Sequence, residues 1–368
     1  MSATTEMSTR ERWLAAVDMQ PVDRLPFWPK LNPAYPPNQS GAFRDMALAD
    51  IHRYVGSDRH DGIGLILREK RTHAVTSTTS DAVNQITTYR STAGETRSVH
   101  EFDTTSQSWH PVEFPVKDLE SLKAMTAFYE DTHVVVDPQL LEDAQAKARQ
   151  LRSEDVITKA GIGESPLMHW VEWLAGVENA HYFLMDFPEE VEALFAQMHR
   201  VLRQKAELMC RHAPCDLLYL TENTSTSLIS PEQYRRYCLP HIGEYAAIAE
   251  QGGRRMVLHM CGLLKDLLPD IGLLPVKAFE AFTSPPVGNT RFLDGRTACP
   301  EKCLVGGTNA VLWTRTADEI IAEIERDLDA LPHHRGIVVT SAGVMPPLAA
   351  PDTIKTVCEW VKQYPLRT

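Results

Sequence analysis

The sequence predicts a (β/α)8 TIM barrel. About eight short runs are near-continuously apolar, as strands buried on both faces of a parallel sheet must be. Longer amphipathic stretches with readable helix starts alternate with them. There is no internal repeat and no low-complexity linker, so residues 1–368 are read as one barrel domain, with a doubly wound open sheet as the alternative.

In chain order the strand candidates are RLPFWP (24–29), DGIGLIL (61–67), DVITKAG (155–161), DLLYLTE (216–222), RMVLHM (255–260), VKAFEAF (276–282), CLVGGT (303–308) and GIVVTS (336–341). Between them, SPEQYRRYCLPH and TADEIIAEIERDL open with capping boxes, Ser230 with Gln233 and Thr316 with Glu319. Residues 73–102 break the rhythm. They are rich in Thr, Ser and Val with period-two character and carry turn signals at Ser80-Asp81 and Ala93-Gly94, which predicts a β-hairpin excursion after the second strand. From Pro111 to Arg152 the pattern reads as helical.

A net charge of −12 leaves no basic surplus for phosphate contacts, which excludes a nucleic-acid partner held by counterion release. No basic start followed by an apolar stretch opens the chain, and no apolar run is long enough to span a bilayer, so the expected location is cytoplasmic, with no membrane partner. The 7 cysteines are odd in number and scattered from Cys210 to Cys358, which fits reduced thiols rather than a disulfide framework.

In such a barrel the polar residues closing each apolar run gather at one mouth. They are Glu164, Glu222, Asn223, His259, Cys261, Glu280, Thr308 and Ser341. His259 and Cys261 stand two apart on an extended segment and point the same way. The pair suits either a zinc site, with Glu280 on the next strand as third ligand, or simple burial. Glu222 and Glu164 are the candidates for proton donor or substrate orienter, and a strand-end carboxylate that caps the next turn is the structural option for Glu222. Phe27, Trp28, Tyr35, His169 and Trp170 line the mouth or pack its rim. DRHDGIG (58–64) approaches the Asp-x-His-x-x-Gly box that gives corrinoids their lower histidine, but Ile63 stands where glycine is needed, so the chain is expected to carry no corrinoid of its own.

RERWLAAVDMQPVDRLPFWP, TENTSTSLISPEQYRRYCLPH, GGRRMVLHMCG, KCLVGGTN and SAGVMPPLAAPDTIKTV together resemble the uroporphyrinogen decarboxylase superfamily in its methyltransferase branch. The arginine-rich substrate segment and last-strand Gly-His-Gly motif of the decarboxylases are replaced here by FWPKLNPAYPP, with Lys30, and by SAGV, with Ala342. A tetracarboxylate needs several cationic clamps, so porphyrinogen decarboxylation is not expected.

His-x-Cys is similar to the zinc signature of the methylcobamide-to-thiol methyltransferases, in which a glutamate on the following strand and a cysteine on the last strand complete the site. Here Glu280 stands 21 residues after His259, and Ala342 replaces the last cysteine. The resemblance implies a zinc held by His259, Cys261 and Glu280, harder than a two-thiolate centre and suited to polarising a donor oxygen or nitrogen. It implies transfer of methyl from a small methylated donor, such as a methoxy aromatic, to the cobalt of a corrinoid (cobalamin) on a partner protein. A homodimer is compatible with this reading. The alternatives are thiol or folate methyl transfer, a metal-free decarboxylase or lyase, and a binding protein that has lost catalysis.

Overall fold

Eight parallel strands appear, seven of them on the predicted apolar runs, while the second, His60–Gly62, overlaps only the start of the run 61–67. In the computed structural model, which describes residues 6–104 and 108–367, they are β1 (Phe27–Trp28), β2 (His60–Gly62), β3 (Ile157–Gly163), β4 (Leu217–Thr221), β5 (Arg255–His259), β6 (Ala278–Phe282), β7 (Cys303–Gly306) and β8 (Ile337–Thr340). Their order in the sheet runs β1-β8-β7-β6-β5-β4-β3-β2, so sequence neighbours are neighbours in space and the sheet curls into a barrel.

The seam between β1 and β2 is joined by one buried carboxylate rather than by a ladder. Asp58 accepts from the Phe27 amide (3.0 Å), Arg12 (2.7 Å) and Arg24 (2.7 Å), and its own amide donates to the Phe27 carbonyl (2.8 Å). Two guanidinium groups balance a charge that burial alone would make costly. Asp58 of the corrinoid-like box is therefore a structural residue.

Each strand presents two apolar faces. The outward side chains of β3 and β4, such as Ala160, Ile162, Leu218 and Leu220, pack under the helices. The inward ones, including Trp28, Ile157, Leu217, Tyr219, Val257, Ala278 and Val305, meet Trp13, Ala16 and Val17 of helix α1 (Thr9–Val17), which plugs the amino-terminal end of the barrel. Ser8 caps that plug by accepting from the Glu11 amide at 3.2 Å, and Glu11 returns a bond from the Ser8 amide at 2.9 Å. Ser8→Ala is expected to lower stability by about 1 kcal/mol, measured as the urea midpoint. An unchanged midpoint would mean that packing of Trp13 alone seats the plug.

The excursion after β2 is larger than a hairpin. Strands Val75–Ser80, Asn84–Ser91, Gly94–Asp103 and Ser108–Glu113 form a four-stranded antiparallel sheet, and Leu67–Lys70 pairs antiparallel with His133–Val136. Two strands thus fall within or beside the stretch read as helical from Pro111. The helices there are Leu119–Glu130, started by Asp118, and Pro138–Ser153. The β-branched HVVV run between them is too short to be typed from its period, and only its partner 67–70 makes it a strand. Tyr89 of the added sheet packs edge-on to Phe128, 5.4 Å between ring centroids, which ties the sheet to helix Leu119–Glu130.

All seven cysteines are free thiols, as expected. Among the described residues no helix is long and apolar enough to cross a membrane.

Candidate active site

At the carboxyl ends of the strands, register sets the site. Thr221, His259 and Glu280 are side by side on β4, β5 and β6. His259 Nδ1 contacts Glu280 Oε2, and Lys30, two residues past β1, places Nζ 2.7 Å from Glu280 Oε1. Cys261 hydrogen-bonds to the His259 side chain and lies 3.5 Å from Asn223 Oδ1, and Asn223 Nδ2 donates to Glu172 at 3.1 Å. One polar chain, Lys30–Glu280–His259–Cys261–Asn223–Glu172, therefore crosses the mouth.

The backbone that aims these groups is strained. Lys30, Asn223, Ala281 and Ala342 all have φ between 45° and 64°, in the left-handed region that side chains disfavour. Ala281 sits where β6 shifts register against β7, a bulge directly after Glu280.

Charges in this chain set one another. Burial raises the carboxyl of Glu280, but Lys30 and then His259 outweigh it and hold Glu280 well below the usual carboxylate range. Burial lowers His259, yet the Glu280 charge and the bonds to Cys261 and Glu280 prevail, bringing it up to about 9. At neutral pH the pair is an imidazolium on a carboxylate.

These residues do not fit a three-ligand zinc centre as they are arranged. His259 contacts Glu280 directly, an ammonium already neutralises the other carboxylate oxygen, and among the described residues no group of three or more His, Cys, Asp or Glu is placed to hold an ion. Lys30 Nζ also lies 3.5 Å from the carbonyl of Ala342, the position where the expected last thiolate is missing. The lysine supplies the positive charge that the sequence reading gives to a metal.

The other expected site residues divide. Glu164 accepts from Trp173 Nε1 (3.0 Å) and faces His169 Nδ1 (3.3 Å), and both lie with Tyr129 on a cavity of about 600 Å³ beside the mouth. Glu222 is sealed off, with Ser165 donating through its amide (2.5 Å) and hydroxyl (2.7 Å), and burial pushes its carboxyl up to about 8. It anchors the turn after β3, a structural role, although the turn is that of the preceding strand and not the next turn expected. Trp28 is inside the barrel, below the mouth.

Four expectations do not match the positions found. Tyr35 is fully buried and bonds to the Ala349 carbonyl, and Trp170 is fully buried with Nε1 donated to the Ala180 carbonyl (3.2 Å). Thr308 donates to the Thr340 carbonyl (2.6 Å) and Ser341 to that of Gly343 (2.6 Å). Phe27 joins them in the outer core. Polar and aromatic side chains that terminate strands are expected at the mouth, whereas these use their polar atoms to tie loops to the barrel.

Sequence reasoning missed Glu172, Lys159 and His60. Glu172 is raised to about 7, mainly by burial and then by Glu164, but nothing distinguishes it from any polar residue of an amphipathic helix. Lys159 and His60 did give a signal. A lysine in the inner row of an otherwise apolar strand has to be explained by something inside the barrel.

The family model for uroporphyrinogen decarboxylase (URO-D) matches residues 120–364, two thirds of the chain and six of its eight barrel strands. The chain belongs to the uroporphyrinogen decarboxylase family. Over 97% of its length and 98% of the other chain, this family member resembles a methyltransferase from Methanosarcina mazei, with a TM-score of 0.62 at 16% identity, a likeness of fold. A Listeria monocytogenes protein named as a vitamin-B12-independent methionine synthase aligns over 62% of this chain and 69% of its own, at 13% identity and a TM-score of 0.38. No curated protein sequence matches the chain.

Proposed function

We propose that the protein is a methyltransferase that moves a methyl group from oxygen or nitrogen of a small donor, such as a methoxy aromatic, to the cobalt of a corrinoid carried by a separate protein. The observation that carries this reading is the contact of His259 with Glu280, which Lys30 also pairs, at the barrel mouth. A methyl ether resists attack because an alkoxide or phenolate leaves poorly, and a proton delivered to that oxygen removes the difficulty. His259 gives its proton to the donor heteroatom as the carbon–oxygen bond breaks. The bond pair remains on oxygen as a neutral alcohol or phenol, and the carbon is taken by the electron pair of the acceptor. Glu280 keeps the imidazole basic enough to be reprotonated from solvent, against the opposing charge of Lys30. The acceptor is assigned to another protein because His60, the histidine of the corrinoid-like box, is sealed inside the barrel against Trp13 and Trp28.

One feature favours a second reading. Two lysines, Lys30 and Lys159, face the barrel interior, and with a proton donor above them they suit loss of carbon dioxide from a carboxylate followed by protonation at carbon. A donor panel incubated with cob(I)alamin separates the two. Methyl transfer is expected, seen as the absorbance change of the cobalt, with His259→Gln slower by about 10²–10³-fold. Carbon dioxide release without methyl transfer would support the decarboxylase, and neither product would overturn both readings.

Activity is expected to survive dialysis against a strong chelator, because protonated side chains carry the charge. A rate lost to the chelator and restored by zinc would reinstate His259, Cys261 and Glu280 as ligands.

A further inference from the structure

The inner rows of β2 and β3 stop short. Above His60 and Lys159 those rows continue as Gly62 and Gly161, and a Cβ built on either would meet nothing within 4 Å. Barrels of this kind fill their interior with layers of side chains, so glycine at both positions, in register with Lys159 and Tyr219, leaves a hollow beside those two side chains.

The polar groups around that hollow lack partners. His60 is 5% exposed and neither of its ring nitrogens is hydrogen-bonded among the described residues; the same is true of the Tyr219 hydroxyl (4%) and Thr340 Oγ1 (0%). Buried polar atoms are rarely left so, and several around one space indicate a missing guest. Burial holds His60 uncharged, so it has one N–H to give, and Tyr219 remains a protonated donor. Lys159 Nζ lies over the rings of Tyr219 (4.8 Å) and Trp28 (5.9 Å) and forms no ion pair among the described residues. Asp61, which faces the same strand end, is already paired with Arg59 at 2.6 Å. Both oxygens of Glu280 are already taken by Lys30 and His259, so among the described residues the interior holds Lys159 without a carboxylate of its own, next to unused hydrogen-bond donors.

We propose that this hollow binds a small carboxylate, with Lys159 as its counter-ion and His60, Tyr219 and Thr340 as hydrogen-bond donors. That the carboxylate belongs to the methyl donor rests on the function proposed above, which makes the donor an aromatic or aliphatic acid carrying a methylated heteroatom. Binding itself does not depend on that reading. In the register Lys159 lies beside Leu217 and, through it, Arg255, four residues before His259, so the acid end is held inside the barrel while the methylated end faces the mouth.

Benzoate and its uncharged analogue benzamide are the probes, titrated calorimetrically into the unaltered full-length protein. Benzoate is expected to bind at least tenfold more tightly than benzamide. Lys159→Met is expected to lose that preference while melting at the same or a higher temperature, since it removes a half-buried cation with no ion pair among the described residues. Gly161→Leu fills the hollow without touching a charge and is expected to weaken benzoate at least tenfold, which keeps the test decisive should Lys159→Met fold poorly. Equal affinity for the two probes, no benzoate binding, or unchanged benzoate affinity in Gly161→Leu would overturn the inference. Benzoate binding without methyl transfer would leave this site in place and remove the methyltransferase, whereas demethylation of neutral donors without benzoate binding would do the reverse.

Discussion

Glu280→Gln is expected to cost about 3–5 kcal/mol of stability and to lower turnover at least about 100-fold. The carboxylate is 2% exposed and is shared by two cations that are themselves only 13% and 15% exposed, Lys30 and His259. Removing its charge leaves both without compensation in a poorly solvated space. His259 then loses the interaction that raises its pKa to about 9 and becomes a weaker base, unprotonated when a donor arrives. Lys30 has no such escape, because an ammonium sheds its proton only at a large cost. The double variant Lys30→Met/Glu280→Gln is therefore expected to be more stable than Glu280→Gln alone, although it removes more polar atoms. Urea unfolding of the four members of that cycle, with turnover measured on each, checks both halves. A Glu280→Gln protein within about 1 kcal/mol of the parent would show that Glu280 is not the hub of the charge network.

The barrel was legible because its strands are buried on both faces, and such strands read as apolar runs whatever their neighbours. DLLYLTE and RMVLHM needed no partner to be recognised, and the position of His259 and Cys261 after the latter followed from it. The added sheet was only half legible. Its Thr-rich strands alternate visibly, but HVVV at 133–136 is a strand only because 67–70 lies beside it. The contact of His259 with Glu280 was likewise within reach, since adjacent strands of a parallel barrel place equivalent ends together. Lys30 was not. It approaches Glu280 from 250 residues away through a left-handed backbone, and no local pattern encodes that geometry. Its arrival places a cation against a carboxylate that the sequence reading assigns to a metal. Tyr35, Trp170, Thr308 and Ser341 failed differently. Whether a strand-end side chain faces the mouth or bonds to the next loop depends on one rotation that sequence spacing does not specify.

Stability is expected to fall as pH rises from about 7 to 9. Three buried groups at the mouth retain protons more firmly when folded than when unfolded. Glu222 is raised from 4.5 to about 8 and Glu172 from 4.5 to about 7, each mainly by burial, while His259 is raised from 6.5 to about 9, where Glu280 outweighs burial. Folded chains therefore bind more protons than unfolded ones between about 7 and 9, and the slope of unfolding free energy with pH is negative there; below 6.5 the histidines His52, His60 and His241, which burial holds uncharged, oppose the two glutamates. For His259 the stabilisation is complete below 6.5 and is lost as pH climbs through 9. For the two glutamates burial becomes a penalty as soon as the unfolded carboxylate ionises above 4.5. Glu280 acts oppositely. Its depressed pKa contributes stability above 4.5, lost only as pH falls below that value, so it shapes the acid limb and not this one. A tenfold difference in proton affinity between folded and unfolded chains is worth about 1.4 kcal/mol, so the combined decline is on the order of several kcal/mol. Guanidinium unfolding at pH 7 and 9 measures it. Glu222→Gln, which mimics the protonated side chain between the same Ser165 donors, is expected to flatten the slope between pH 7 and 8 and leave the His259 portion above it. A stability that rises from pH 7 to 9, or a slope that Glu222→Gln leaves unchanged, would mean that Glu222 is ionised in the folded protein and that its bonds to Ser165 outweigh its burial.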